Sequence, residues 1–155
     1  MKKLLVCLLL ALVPISAASC AMPEANSALL EFNDNIEFGG ILLGMTLEQM
    51  RDALGEPDAE NISAGGTEYS YHDLDISALA DEAGIIKRIS SKNTEFSFFD
   101  IAIGDSLSAA DDILTGFGYT LDAAGNYRYN KNEVQIILLT IDGNSLLGFT
   151  AEWLA

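Results

Sequence analysis

Histidine occurs once in this 155-residue chain, at His72, and cysteine twice, at Cys7 and Cys20. With no second histidine and no cysteine pair beyond position 20, zinc sites of the usual nitrogen and sulfur type are excluded. A serine-histidine-aspartate triad would have to use His72, yet no serine stands in a G-x-S-x-G elbow. Neither G-x-x-x-x-G-K-[ST] nor G-x-G-x-x-G occurs, which removes the common phosphate cradles. The calcium loop D-x-[DN]-x-[DN]-G is missing as well. His72 closes a Tyr-x-Tyr stretch as an ordinary strand-edge residue, and Asp73 and Asp75 read as the solvent side of an alternating strand. No catalytic residue, metal or cofactor is therefore expected. Carboxylates are numerous enough that a hydrolase of unfamiliar type stays open by count alone.

Bases are scarce: eight lysines and arginines stand against 23 acidic residues. Such a balance repels phosphate backbones and anionic headgroups and argues against nucleic acid as a partner. It serves solubility, or steering of a basic partner. Disorder is excluded by a hydrophobic content of 50% that recurs with clear periods. Long apolar runs are also missing. Leu4 to Val13 gives ten residues, about half of what a membrane-spanning helix needs. Lys2 and Lys3 precede that run and small residues follow it, so residues 1–19 read as a secretory signal peptide. Without the signal, six bases face 23 acids, a formal charge of −17.

Ala17-Ala18-Ser19-Cys20 resembles the lipobox of bacterial lipoproteins, in which the cysteine receives a lipid and becomes the first residue. That family usually places Leu where Ala17 stands, so cleavage after Ser19 or Ala21 without lipidation remains the alternative. Cys20 would otherwise be an odd thiol in an exported protein, and acylation accounts for it. Residues 20–37, with Pro23, Ser27 and Asn33-Asp34-Asn35, read as a flexible tether.

The remaining chain writes one plan twice. In the first copy Gly44 and Met45 precede Thr46, which can cap a helix, and Gln49 completes a capping box. Leu47, Met50, Ala53 and Leu54 then fall on one helical face, and Gly55 and Pro57 stop the helix. In the second copy Gly104, Ser106, Leu107, Ala110, Ile113 and Leu114 follow at a displacement of sixty, with Asp112 matching Asp52. Tyr69-Ser70-Tyr71 is echoed by Tyr127-Arg128-Tyr129. Leu74 to Ala78 and Ile85 to Ser90 read as strands of the first copy. Val134 to Ile141, apolar on both faces and so expected to be a central, better-covered strand, and Ser145 to Trp153 belong to the second. The expected fold is α+β: two tandem helix-plus-three-strand repeats, 38–93 and 94–155, sharing one antiparallel sheet with the helices on one face.

Ile41-Leu42-Leu43-Gly44-Met45-Thr46 and Leu54-Gly55-Glu56-Pro57-Asp58 resemble the G-M-T-x-x-x-V-x-x-x-L-G-x-P signature of SmpA/OmlA lipoproteins of the outer-membrane barrel-assembly machinery, with Met50 where that signature prefers Val. The pattern is also similar to the tandem-repeat β-lactamase-inhibitor-protein fold, called BLIP-like, whose members carry disulfides that this chain lacks. Ile101 to Ser106 is similar to the I-x-I-G-D-S start of two-repeat lipoproteins of Gram-positive bacteria. The resemblance implies helices on one sheet face, a concave face on which protein partners dock, and an envelope lipoprotein facing outside the cytoplasm. The alternative is a secreted inhibitor of an extracellular enzyme.

The aromatic residues carry the candidate docking site. Tyr69 and Tyr71 share a face, as do Tyr127 and Tyr129. Either these four line the docking surface, where tyrosine is favoured, or they lie beneath the helices as core. Phe96, Phe98 and Phe99 read as core that locks the copies together, and Trp153 fits either use.

Overall fold

The computed structural model describes residues 27–37, 39–124 and 126–154. The expected signal peptide, Cys20 and the start of the expected tether lie outside them. Beyond residue 26 the tether is replaced by structure. Helix α1 spans Ser27–Asp34, because Ala28 and Phe32, four apart, share a helical face and are both fully buried. Asn33 fastens α1 to the next loop: its side chain accepts the Leu43 N–H at 3.1 Å and donates to the Leu43 carbonyl at 2.9 Å. Strand β1 (Ile36–Glu37) follows.

Helix α2 (Leu47–Leu54) starts as the capping signal predicts, with the Thr46 hydroxyl accepting the Gln49 N–H and the Gln49 side chain accepting the Thr46 N–H. It leads into strands β2 (Ala59–Ser63), β3 (Gly66–Tyr71), β4 (Ile76–Ala80) and β5 (Ile86–Ser91). Strands β6 (Ser97–Phe98) and β7 (Ile101–Ala102) join β1 in a small three-stranded sheet. Helix α3 (Leu107–Gly116), capped by Ser106, then precedes β8 (Thr120–Leu121), β9 (Arg128–Lys131), β10 (Val134–Leu139) and β11 (Gly148–Trp153). The main sheet is antiparallel with order β2-β3-β4-β5-β11-β10-β9-β8. The α+β class is as expected, but four strands of the main sheet follow each of α2 and α3 where three were expected. The added ones, β2 and β8, are the sheet's edges: β2 alternates weakly and β8 has two residues.

Two further expectations change. Leu74 is not in a strand; residues His72–Leu74 form a 3-10 turn and Asp75 takes a left-handed φ of 48°, so β4 begins at Ile76. Neither Asp73 nor Asp75 lies on an alternating strand. Strand β10 is neither central nor covered on both faces: β5 and β11 occupy the centre, and β10 alternates buried with half-exposed residues.

Backbone contacts recur sixty residues apart. The Gly44 N–H donates to the Ile86 carbonyl and the Gly104 N–H to the Leu146 carbonyl, each at 2.8 Å. Leu47 N–H donates to the Gly84 carbonyl at 2.8 Å and Leu107 N–H to the Asn144 carbonyl at 2.9 Å. Gly44 and Gly104 hold φ of 82° and 105°, a region a side chain disfavours. At the centre Ser90 pairs with Thr150, and their hydroxyls are hydrogen-bonded at 2.8 Å.

Candidate docking face

Register across the sheet separates its two faces. Tyr69, Ala78, Ile89, Ala151, Ile136 and Tyr129 stand opposite one another in successive strands and are all buried. This face lies under the helices. The Tyr71 hydroxyl donates to the Gly55 carbonyl at the end of α2 at 3.1 Å, and the Tyr129 hydroxyl donates to Asp111 of α3 at 2.8 Å. Lys131 of β9 pairs with Glu31 of α1 at 2.7 Å. Phe98 of the small sheet stacks on Phe149 with ring centroids 4.4 Å apart. Phe98 and Phe99 are buried, and Phe96 packs against the same core.

The docking reading of Tyr69, Tyr71 and Tyr129 is overturned by their burial. Tyr69 is 7%, Tyr71 4% and Tyr129 1% exposed; their rings fill the space between sheet and helices, where they exclude water. Tyr127 alone of the four stays half-exposed. It holds a left-handed φ of 49° just before β9 and does not follow the strand's alternation. The Tyr71 and Tyr129 hydroxyls are held neutral. Burial pushes the Tyr129 pKa up, reinforced by its hydrogen bond to the Asp111 carboxylate. Burial also raises Tyr71, with the Arg51 guanidinium opposing the shift and neighbouring carboxylates adding to it. Trp153 belongs to the same side: the Lys87 ammonium lies 3.7 Å from its ring centroid.

Among the described residues the opposite face carries no helix. Its central row reads Ser70, Ser77, Ser90, Thr150, Ile137 and Arg128 across six successive strands. The next row runs Glu68, Leu79, Arg88, Glu152, Gln135 and Asn130. Three of the chain's scarce bases, Arg88, Lys92 and Arg128, stand on this side or its rim. Those on the helical side are engaged: Arg51 by Glu56 and Glu60, Lys131 by Glu31, and Lys87 by Trp153. In the two rows themselves Glu68 and Glu152 are balanced by Arg88 and Arg128.

Two recesses meet on it at Leu139. One, of about 210 Å³, is lined by Ser70, His72, Ser77, Ser90 and Lys92. The other, of about 450 Å³, is lined by Tyr127, Ile137, Thr140, Ile141 and Gly143. Leu139 and Leu147 are 37% and 42% exposed, and Ile141 is 91% exposed. Ile137 through Ile141 is the stretch whose apolar outward residues suggested a doubly covered strand; the structure leaves that side bare. Such clustering of apolar side chains beside polar rows marks interaction surfaces. His72 is exposed, its backbone N–H donating to Asp58 at 2.6 Å. Among the described residues no three His, Cys, Asp or Glu side chains come close enough to hold a metal ion, and no helix is long and apolar enough to cross a membrane.

No family model and no curated protein matches the chain. Among solved structures it is similar to the 1.5 Å crystal structure of an extracellular protein containing a SCP domain from Bacillus anthracis strain Ames, with a TM-score of 0.56 at 13% identity. The match covers 71% of this chain and 43% of that one. At such identity the likeness speaks for the fold alone.

Proposed function

We propose that this chain is an exported bacterial envelope lipoprotein, anchored through Cys20, and that it acts as a non-enzymatic protein-binding or assembly module through its helix-free sheet face. The observation carrying the reading is that face: an eight-stranded sheet covered on one side and open on the other, with the apolar corner Ile137, Leu139, Ile141 and Leu147 beside a row of hydroxyls. A buried apolar centre with a polar rim is the usual anatomy of a protein interface. The sixty-residue recurrence of backbone contacts supports the tandem-repeat, BLIP-like interpretation of the fold. The sequence resemblance to envelope lipoproteins supports the location.

The docking residues are accordingly reassigned from the buried tyrosines to Ser77, Ile137, Leu139 and Ile141. A photo-crosslinking residue placed at Ser77 or Ile141 in the native cell is expected to trap one protein, while the same group at Glu48, exposed on the outer side of α2, traps none. Equal products from all three positions would sink the docking face. Fatty-acid labelling that vanishes in Cys20→Ala supports the anchor. Release of the unlabelled chain into the medium would instead favour a secreted inhibitor.

A further inference from the structure

The two edges of the main sheet are built differently. β8 offers two residues, and a strand that short gives an arriving chain little to pair with. β2 offers five, Ala59 to Ser63, bonded on one side to β3 and, among the described residues, to no strand on the other. In an antiparallel edge strand alternate residues point their N–H and C=O groups outward, ready to template another strand. β2 contains no proline, lysine or bulge to blunt it. Ile62 stands 93% exposed in it. Next to Ile62, on the helical side, a groove of about 410 Å³ runs past Leu47, Thr67 and Tyr69 to Asp81 and Glu82.

We infer that the β2 edge accepts an extended segment of a partner polypeptide as a ninth strand, and that this segment is basic with alternating apolar residues. Charge selects the occupant. Between Gly55 and Ser63 the chain carries Glu56, Asp58 and Glu60 and no base; Arg51 reaches across to two of these carboxylates, at 3.4 Å to Glu56 and 2.7 Å to Glu60. A second copy of this chain would bring three more carboxylates to the same edge, in a molecule of net charge −15, so self-pairing is repelled. A lysine- or arginine-bearing strand is attracted by the same groups. One of its side chains, directly opposite Ile62, would cover that residue. The main-chain bonds supply affinity and the alternating side chains supply selectivity. This surface is separate from the helix-free face and stands or falls independently of it.

The test uses the full folded chain and a synthetic capped peptide of alternating lysine and valine, with backbone amide shifts and hydrogen exchange as readouts. At low salt the peptide is expected to shift and protect amides between residues 59 and 63, with binding at least tenfold weaker when alternate peptide amides are N-methylated and cannot donate to the edge. A peptide of alternating glutamate and valine is expected not to bind, and the double variant Glu56→Gln, Glu60→Gln should weaken the lysine peptide several-fold. N-methylated peptide binding as well as the parent, or shifts confined to the helix-free face, would overturn the inference. A dimer that forms without peptide and that places residues 59–63 at its interface would assign the edge to a second copy, which also overturns it.

Discussion

The half that carries α2 and the half that carries α3 agree where the chain must fold and differ where it meets solvent. Gly44 and Gly104, Thr46 and Ser106, and Tyr71 and Tyr129 perform matched tasks: a left-handed entry, a helix cap, and a ring standing between sheet and helix. On the helix-free face the match is lost. Ser70 and Ser77 of the first half, paired with each other, correspond to Arg128 and Ile137 of the second, also paired with each other, and Asp81 corresponds in sequence to Ile141, sixty residues on. Packing dictates the first set of positions. The second set is free of that constraint, and there Ser77 and Asp81 have the apolar counterparts Ile137 and Ile141. The proposed docking corner lies in the apolar half.

The comparison breaks first if the halves are separate units. Phe149 lies in β11 at the shared centre and contacts Phe98 of the small sheet. Phe149→Ala is expected to cost about 3–5 kcal/mol, read by urea denaturation. Amides of α2 and α3 should lose exchange protection together. Retention of protection in α2 alone would show two folding units.

Next come the tyrosine pillars. Tyr129 donates to a carboxylate and Tyr71 to a backbone carbonyl. A hydrogen bond to a charged group contributes about 1.5–3 kcal/mol, against about 0.5–1.5 kcal/mol for a neutral one. Tyr129→Phe should therefore destabilise more than Tyr71→Phe, and the reverse order would contradict the pairing. The pH dependence follows from the raised Tyr129 pKa. Its contribution is complete below the unfolded tyrosine value of about 10 and is lost as pH rises through the higher folded value. Wild-type stability should thus fall above about pH 10, and Tyr129→Phe should flatten that fall.

The caps give a smaller contrast. The double variant Thr46→Ala, Gln49→Ala removes both bonds of a capping box, while Ser106→Ala removes the bond from the Ala109 N–H alone. Losses of about 1–2 and about 1 kcal/mol are expected, again from urea midpoints.

These contrasts separate what local sequence specifies from what it does not. Both helix starts were readable because a cap, a glycine and an apolar face act within one turn. The tyrosine faces were not. Alternation says that Tyr69 and Tyr71 share a side, but which side is covered depends on where α2 and α3 land. The signal that could have decided it was the opposite parity: Ser70, Ser77 and Ser90 form one polar row on the side away from the tyrosines, and a polar row belongs at the solvent side. Helix α1 was hidden because Pro23 and the asparagine cluster outweighed the Ala28 and Phe32 spacing, whose partners are far along the chain. Strand β2 has one neighbour and no buried residue, so periodicity carries no trace of it. The apolar Val134 to Ile141 stretch is legible as unusual, but an apolar outward row alone does not say whether anything covers it, and Ile137 and Leu139 stay partly exposed.

The last contrast has the smallest effect on stability and bears most on function. Ile141→Asp and Ile137→Ser would give the second half the residues that the first half carries at the corresponding positions, Asp81 and Ser77. Ile141 is almost wholly exposed, so its substitution should change stability by no more than about 0.5 kcal/mol. Ile137 is half-buried and should cost about 1 kcal/mol through the apolar area it keeps from water. If the apolar corner exists for packing, unfolding midpoints will drop well beyond these values and crosslinking will track the lost fold. If it exists for a partner, the folded population will be unchanged while the crosslinked product from Ser77 disappears, because truncating apolar anchors at the centre of an interface removes most of its affinity. The two outcomes differ in which measurement moves, and that separates a surface kept for recognition from one kept for stability.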